Sequence, residues 1–312
     1  MKKSKDEKMS ASTDKNLEDS SYKDEISLRE LISILWSGRI LIFCVTTAVA
    51  ITSIIISLSI TNVYTSESVL VDRVKQDTAM SGISGFASLA GLDLSAQGAS
   101  LNKVLGIIES REFVKHLITF DNVLPSIMAA KSYNLSSKEI IFDQEIYDSN
   151  TKTWVRDVPD NVSKVPSYIE AYKEYSKLLS VTKDRLTGHV SIKIEHLSPV
   201  FAHELLSLVI REANNVQRNI DVNSSDKALV YLREQLARTP QVEIRDSISK
   251  LIENQLETQM MASIHDDYIL MTVEPPFIPE KKSGPVRSLI VIISTLLGGM
   301  LSAGIVLVRE YF

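Results

Sequence analysis

The chain has 312 residues, of which 44% are hydrophobic and 23% are charged, and these proportions are ordinary for a folded protein. Its formal net charge of −5 excludes the strongly basic footprint of a nucleic-acid-binding protein. The single cysteine, Cys44, excludes an internal disulfide bond and a thiolate metal cluster. Stability is therefore expected to come from packing and assembly.

The first sixty residues predict a polar tail followed by a membrane span. Residues 1–24 are rich in Lys, Ser, Asp and Glu, which predicts a flexible segment. Ile26–Trp36 has apolar residues at helical spacing and predicts a short amphipathic helix, or an extension of the helix that follows. Ile40–Ile60 has no charged residue, and a helix of that length reaches about 31 Å, enough to cross a bilayer. Its length and the polar leader favour an uncleaved anchor over a signal peptide.

The long segment between the two apolar blocks alternates predicted strands and helices. The hydrophobic spacing predicts, in chain order, a strand at Tyr64–Val71, a helix at Asn102–Phe120, a hairpin of Leu178–Thr182 and His189–Glu195, a helical region at about 199–265 and a strand at Tyr268–Val273. Gln76–Ser100 is rich in glycine, which predicts a mobile loop. Ser132–Ser167 has no clear hydrophobic periodicity, so no element is predicted there. The order strand, helix, strand, strand, helix, strand is that of a ferredoxin-like α+β unit.

The helical region predicts a long trunk. A continuous helix over 199–265 would reach about 100 Å, although Asn223-Ser224-Ser225 and Pro240 are local interruptions. Such a helix is unstable alone, so we expect copies of the chain to pack side by side along one apolar stripe. The predicted packing residues recur at steps of four and are Ile248, Ile252, Leu256, Met260 and Ile264.

A proline-rich connector and a second apolar helix follow. Pro276, Pro279 and Pro285 are spaced by multiples of three before Arg287, which predicts a stiff polyproline II segment, or prolines that only end the preceding strand. The second predicted span is Ser288–Val308. Two rows of small residues along it predict a helix-contact face, with either the first span or another copy as its partner. These residues are Ser294, Gly298 and Ser302 in one row, and Thr295, Gly299 and Ala303 in the other.

The sequence contains no pattern typical of a catalytic, metal or cofactor site. A P-loop, a dinucleotide fingerprint and a G-x-S-x-G elbow are all missing from it. His189, His196 and His203 recur every seven residues, but strand and helix intervene, so polar surface histidines are favoured over a metal site. Asp266 and Asp267 are adjacent beside a strand and point in opposite directions, which favours solvated charges over an acid–base pair. We predict a protein without enzymatic activity, metal or cofactor.

The segment PEKKSGPVRSLIVIISTLLGGM resembles the Wzz-type chain-length determinants, the polysaccharide co-polymerases of bacterial inner membranes. Lys282 stands where the family pattern has its middle proline. EISLRELISILW resembles the family segment before the first span, and ESREFVKHLI resembles its first soluble helix. Because no P-loop is present, the chain resembles the short form without a kinase domain. The residues that match the family pattern around the second span are Pro279, Pro285, Arg287, Gly298 and Gly299.

The resemblance implies an α+β protein in which two terminal transmembrane helices flank a periplasmic ferredoxin-like α/β base with a long helical trunk. The implied segments are a cytoplasmic tail with a short amphipathic helix at 1–39, spans at 40–60 and 288–308, a periplasmic domain at 61–287 with its connector at 275–285, and a cytoplasmic C-terminus at 309–312. The basic residues of the leader favour the same orientation.

The resemblance also implies a function and partners. It implies a non-enzymatic regulator of the chain length of O-antigen or a related surface polysaccharide, which forms homo-oligomers in the bacterial inner membrane. A membrane polysaccharide polymerase is the implied partner, and the growing glycan is a further candidate. Two other classes remain open from the residues: a two-span sensor of a periplasmic ligand, and a polysaccharide export component without length control.

Overall fold

A computed structural model of the protein describes residues 28–73, 99–264 and 267–311. The chain forms two compact units, one made of Met1–Ile60 with Pro285–Phe312 and the other of Thr61–Gly284. The predicted flexible tail lies outside the described residues, and so does nearly all of the glycine-rich segment.

The described residues form nine helices and eight strands, which are joined by turns and loops. The helices are α1 (Leu28–Ser37), α2 (Arg39–Ser59), α3 (Ala99–Ile108), α4 (Arg111–Leu117), α5 (Val123–Met128), α6 (Tyr168–Leu178), α7 (Pro199–Arg238), α8 (Val242–Ile264) and α9 (Arg287–Tyr311). The strands are β1 (Tyr64–Asp72), β2 (Ala130–Asn134), β3 (Glu139–Phe142), β4 (Tyr147–Asp148), β5 (Thr153–Trp154), β6 (Leu179–Lys183), β7 (Val190–His196) and β8 (Leu270–Glu274).

The first unit consists of α1, α2 and α9. In the described part of the chain, two helices are long and apolar enough to cross a membrane, Arg39–Ser59 and Arg287–Arg309. They pack against each other. Gly38 separates α1 from α2, and a Cβ atom there would lie 2.5 Å from Cγ1 of Val306, so this close approach requires glycine. The helices α1 and α2 are interrupted at this one residue, and the Gly38 carbonyl accepts from the Ile42 N–H at 3.0 Å.

The second unit is built on a four-stranded antiparallel sheet in the order β6-β7-β1-β8. The predicted hairpin is confirmed, with Leu179 opposite Ile194 and Lys183 opposite Val190. Its alternation is also confirmed, because Val190, Ile192 and Ile194 are fully buried in the core. The central strand β1 alternates in the same way between buried and half-buried residues.

Helices cover one face of this sheet. The predicted cap of α7 is confirmed, since the Ser198 hydroxyl accepts a hydrogen bond from the Phe201 N–H and Pro199 opens the first turn. The helix predicted at Asn102–Phe120 is instead two helices, α3 and α4. Ser110 is extended and its side chain caps α4 by accepting from the Phe113 N–H, which explains the break. The core residues that α3, α4 and α7 share include Val104, Ile108, Val114, Leu117, Leu205, Leu206 and Val209.

The stretch without sequence periodicity contains two short hairpins, β2–β3 and β4–β5, and leads into α6. A reciprocal capping box starts α6: the Ser167 hydroxyl accepts from the Glu170 N–H, and the Glu170 carboxylate accepts from the Ser167 N–H. Arg156 donates two further hydrogen bonds to the same carboxylate, at 2.7 and 3.2 Å. These bonds, with that from Ser167, lower the pKa of Glu170 to about 2. The ion pair of Arg156 and Glu170 therefore fixes the irregular loop before α6 to the first turn of that helix.

The prediction of one continuous helix of about 100 Å is wrong. The chain leaves the helical conformation at Thr239, because Pro240 has no N–H to donate and disfavours helix at the residue before it. The helices α7 and α8 then pack together as a helical hairpin, in which Gln259 Nε2 donates to Asp226 Oδ1 at 2.6 Å. These two residues lie at similar distances from the break, so the helices run antiparallel. The longer helix, α7, reaches about 60 Å.

Candidate functional site

In the part of the chain that the structure describes, no group of three or more His, Cys, Asp or Glu is arranged to hold a metal ion. His189 and His196 flank opposite ends of β7, and His203 lies on α7. His189 is exposed and His203 is half-buried. Asp266 lies outside the described residues, while Asp267 is half-buried. The sequence spacing of the histidines therefore does not bring them to one site.

The side chain of His196 is buried, and both of its ring nitrogens form hydrogen bonds to the backbone. Its Nδ1 accepts from the Ser198 N–H at 3.0 Å, so the ring proton is on Nε2, which donates to the Ser126 carbonyl at 3.0 Å. Burial lowers the pKa of His196. A neutral ring with both nitrogens bonded joins the end of β7 to α5 and to the first turn of α7.

A buried carboxylate on α7 is also paired. Glu212 is 8% exposed, and its Oε2 lies 2.9 Å from Nε2 of His116 on α4. Burial raises the pKa of Glu212, but hydrogen bonds from His116 and Arg211 outweigh that effect and the net direction is down. This carboxylate connects two helices and has the pKa direction of an ion-paired acid, not that of a proton donor.

The predicted trunk residues are divided between two sides of α8. Ile248 is buried and Ile252 is half-buried. Leu256, Met260 and Ile264 are 44%, 55% and 63% exposed, and we call these three the hairpin stripe. Each step of four residues advances about 400° around a helix, so a row at steps of four drifts by about 40° per step. The five residues therefore turn gradually away from α7, and only the first of them pack against it.

The hairpin stripe is an exposed apolar surface on α8, which also exposes Val242, Ile244 and Leu251. Three large side chains in successive turns are exposed together, which is uncommon for a solvated helix face. On α7, Ile220 and Tyr231 are also exposed, at 50% and 61%. The packing of this surface against another copy of the chain stays a prediction.

The small residues of α9 face the first apolar helix of the same chain. A Cβ atom on Gly298 would lie 2.9 Å from Cγ1 of Val49, and Ser302 is fully buried with its Oγ 3.5 Å from Oγ1 of Thr46. On Gly299 a Cβ atom would meet only Thr46 Oγ1, at 3.9 Å. The remaining residues of the two predicted rows are half-buried, and they are Ser294, Thr295 and Ala303. Of the two partners left open by the sequence, the structure places α2 against this face.

The proline-rich connector lies along the edge of β1. The hydroxyls of Ser68 and Ser66 donate to the carbonyls of Glu274 and Phe277, at 2.7 and 2.8 Å. Further on, Val63 forms an isolated antiparallel bridge with Gly284. Among the predicted connector residues Pro279 is buried, and Pro276, Pro285 and Arg287 are half-buried.

The two serines that hold the end of β8 and the start of the connector were missed in the sequence. The period of two along β1 places Ser66 and Ser68 on the same inward face as Tyr64 and Leu70. A buried hydroxyl needs a hydrogen-bond partner, so these two positions indicate a second backbone beside the strand. That signal was available, but it does not say which segment supplies the carbonyls.

Part of the chain is similar to a known protein family. Residues 24–119 match the model of the family Wzz, chain length determinant protein. This match confirms the resemblance predicted from the sequence, and it covers α1, α2, β1, α3 and α4. Among solved structures, one described as a full-length bacterial polysaccharide co-polymerase is 13% identical, with a TM-score of 0.37, over 91% of this chain and 98% of that chain. No curated protein matches the chain.

Proposed function

We propose that this protein is a non-enzymatic regulator of the chain length of a bacterial surface polysaccharide, either O-antigen or a related polymer. The observation that carries the proposal is the match of residues 24–119 to a chain-length determinant family. The described residues agree with a role that leaves bond formation to a partner, because their buried histidine and carboxylate are engaged in structural contacts. A membrane polysaccharide polymerase is that proposed partner, and the growing glycan is a second one.

The proposed location is the bacterial inner membrane, with α2 and α9 as its two spans. Residues 61–287 would be periplasmic, and residues 1–39 and 309–312 would be cytoplasmic. Two observations support this orientation: the leader is rich in Lys and Arg, and a long loop is translocated largely regardless of its charge. The apolar surfaces of both helices, exposed within this chain, support their contact with lipid.

The proposed architecture of the periplasmic domain is a ferredoxin-like base that carries the helical hairpin. The strand order supports the base, because the four strands of the sheet, numbered in sequence, are arranged second, third, first, fourth. Helices connect the first strand to the second and the third to the fourth, as such a unit requires. The connector over 275–285 is proposed to return the chain from this base to α9.

The proposed active form is a homo-oligomer that acts as a scaffold for the polymerase. The hairpin stripe supports this proposal, since its apolar side chains gain stability only when another surface covers them. Two exposed residues on α7, Ile220 and Tyr231, offer a second apolar surface that a neighbouring copy could contact. Repeated copies around a ring would hold several polymerase molecules or lengths of glycan at a fixed spacing.

Deletion of the chromosomal gene tests the proposed function. We expect the surface polysaccharide to show a broad distribution of chain lengths on a gel, with the polymer still present, because polymerisation belongs to another protein. Expression of the wild-type chain from a plasmid should restore the narrow distribution. Unchanged banding of every surface glycan would contradict length regulation, and complete loss of the polymer would indicate a required polymerisation or export step instead.

A further inference from the structure

A groove between α2 and α9 lies at the end of the pair where α2 finishes and α9 begins. Its volume is about 380 Å³, and its walls are apolar, made by Ile54 and Leu58 on α2 and by Val291 and Ile292 on α9. All of these residues belong to one compact unit. The polar residues of the groove are gathered toward its end, next to the start of α9.

One hydroxyl in this groove has no hydrogen-bond partner within the described residues. Ser57 is only 2% exposed, and its Oγ makes no hydrogen bond there. On the same helix the Oγ of Ser53 is also unpaired, outside the groove, whereas Thr52 and Ser59 donate to the carbonyls four residues earlier, at 2.9 and 3.0 Å. An unpaired polar group is costly in a membrane, where no water is present to bond it. Of the two unpaired serines, Ser57 is the one that lines the groove, so it is the one that a polar ligand atom there would pair.

The polar end of the groove carries positive charge. Arg287 is the first residue of α9, and its Nη2 donates to the Ile60 carbonyl at 3.5 Å, which holds the guanidinium beside the end of α2. The N-terminus of this helix of 25 residues adds a partial positive charge, although the N–H groups of Leu289 and Ile290 already donate to the Val286 carbonyl, at 3.1 and 3.3 Å. Ser288, which is exposed, supplies one more hydroxyl. This combination suits a phosphate group.

We propose that this groove binds an anionic phospholipid of the surrounding bilayer. The phosphate would lie on Arg287 and Ser288 at the positive end of α9, and one acyl chain would follow the apolar walls, with its ester oxygen near Ser57. The site requires α2 and α9 to lie in a membrane, but it does not depend on a role in polysaccharide length. In the proposed orientation it faces the periplasmic leaflet.

The other end of α9 provides an internal comparison. A larger apolar groove there is lined by Leu297, Met300 and Leu301 and ends at Arg309. That arginine lies in the last turns of the helix, where the helix dipole is negative and opposes an anion. Arg309 is therefore a control for Arg287: it has the same charge on the same helix, but the helix dipole there disfavours binding of a phosphate.

Native mass spectrometry of the full-length protein tests the site. The protein would be released from nanodiscs that contain equal amounts of phosphatidylglycerol and phosphatidylcholine with identical acyl chains. We expect retained phosphatidylglycerol to exceed phosphatidylcholine by about tenfold, because both lipids offer a phosphate but the choline ammonium offsets that charge beside Arg287 and the positive end of α9. Equal retention of both lipids would overturn the proposal and show a groove filled by any lipid.

Matched variants distinguish this site from general charge attraction. R287Q should reduce the preference about tenfold and S57A by a smaller factor of about three, while R309Q should leave it unchanged. Equal effects of R287Q and R309Q would overturn the proposal. A phosphatidylglycerol with a photoreactive acyl chain provides a second readout in the wild-type protein, without any substitution. Its crosslinks should map to Ile54, Leu58, Val291 or Ile292, and crosslinks confined to Leu297–Leu301 would contradict the site.

Discussion

Replacement of Met260 by Asp is expected to dissociate the assembly of this protein. Met260 is in the middle of the hairpin stripe, between Leu256 and Ile264, and it is 55% exposed within one chain. If a neighbouring copy covers the stripe, the new carboxylate is buried without a partner, which costs several kcal/mol. We expect self-association to weaken by about a hundredfold or more, measured as oligomer mass by light scattering in mild detergent.

The control for this experiment is N254D on the same helix. Asn254 is exposed, and it lies about 120° around the helix from Met260, so it adds the same charge outside the stripe. The N254D protein should keep the oligomer mass of the wild type. Circular dichroism of both variants should match the wild type, because neither position is buried in the single chain. A wild-type mass for M260D, or equal dissociation of both variants, would show that the stripe is not the contact between copies.

Replacement of Gly298 by Leu is expected to separate the two apolar helices. A Cβ atom at Gly298 would already approach Cγ1 of Val49 to 2.9 Å, so the whole leucine side chain cannot fit between α2 and α9. Overpacking of this kind costs about 1–3 kcal/mol or more. The separation can be measured as the disulfide yield between cysteines placed at Thr46 and Ser302, whose hydroxyl oxygens are 3.5 Å apart, in a C44A background.

Two further variants isolate the steric cause. A Cβ atom on Gly304 would meet no described atom within 4 Å, so G304L should leave the disulfide yield unchanged. V49A should restore part of the yield in the G298L background, because it removes the atoms that the leucine meets. A similar fall for G298L and G304L, or no rescue by V49A, would show that close approach at Gly298 does not hold the pair together.

Local patterns in the sequence predicted the elements that depend on short-range physics. The alternation of Val190, Ile192 and Ile194 predicted β7 because one face of that strand is buried. Ser198-Pro199 predicted the start of α7 because both the cap and the proline act within one turn. The contact face along the small residues of α9 stays a prediction, and the structure shows a close approach to α2 at Gly298, where a Cβ atom would lie 2.9 Å from Cγ1 of Val49.

Features that depend on distant partners were not predicted. The return of α8 along α7 requires a contact such as Gln259 with Asp226, and no local pattern indicates which surface α8 would find. The start of α6 was overlooked although Ser167 and Glu170 form a capping box, because the polar stretch before it has no hydrophobic period. The anchoring of the connector by Ser66 and Ser68 also depends on carbonyls more than 200 residues away.

The apolar row on α8 also shows this difference between what a local pattern predicts and what depends on a distant contact. Steps of four identified the apolar residues of α8, but they did not show that Ile248 faces α7 while Ile264 is exposed. That difference arises from the drift of a four-residue row around a helix and from the position of the partner helix. The sequence therefore indicated an apolar row along α8, and the folded hairpin determined which of its residues are exposed.

Reconstitution with a polysaccharide polymerase in liposomes is the most direct measurement of the central claim. The chain lengths of the product would be compared for polymerase alone, for polymerase with the wild-type protein, and for polymerase with M260D or N254D. Our account predicts a narrow modal distribution with the wild-type and N254D proteins, and a broad one with M260D or with polymerase alone. Identical product lengths with and without the wild-type protein would contradict it.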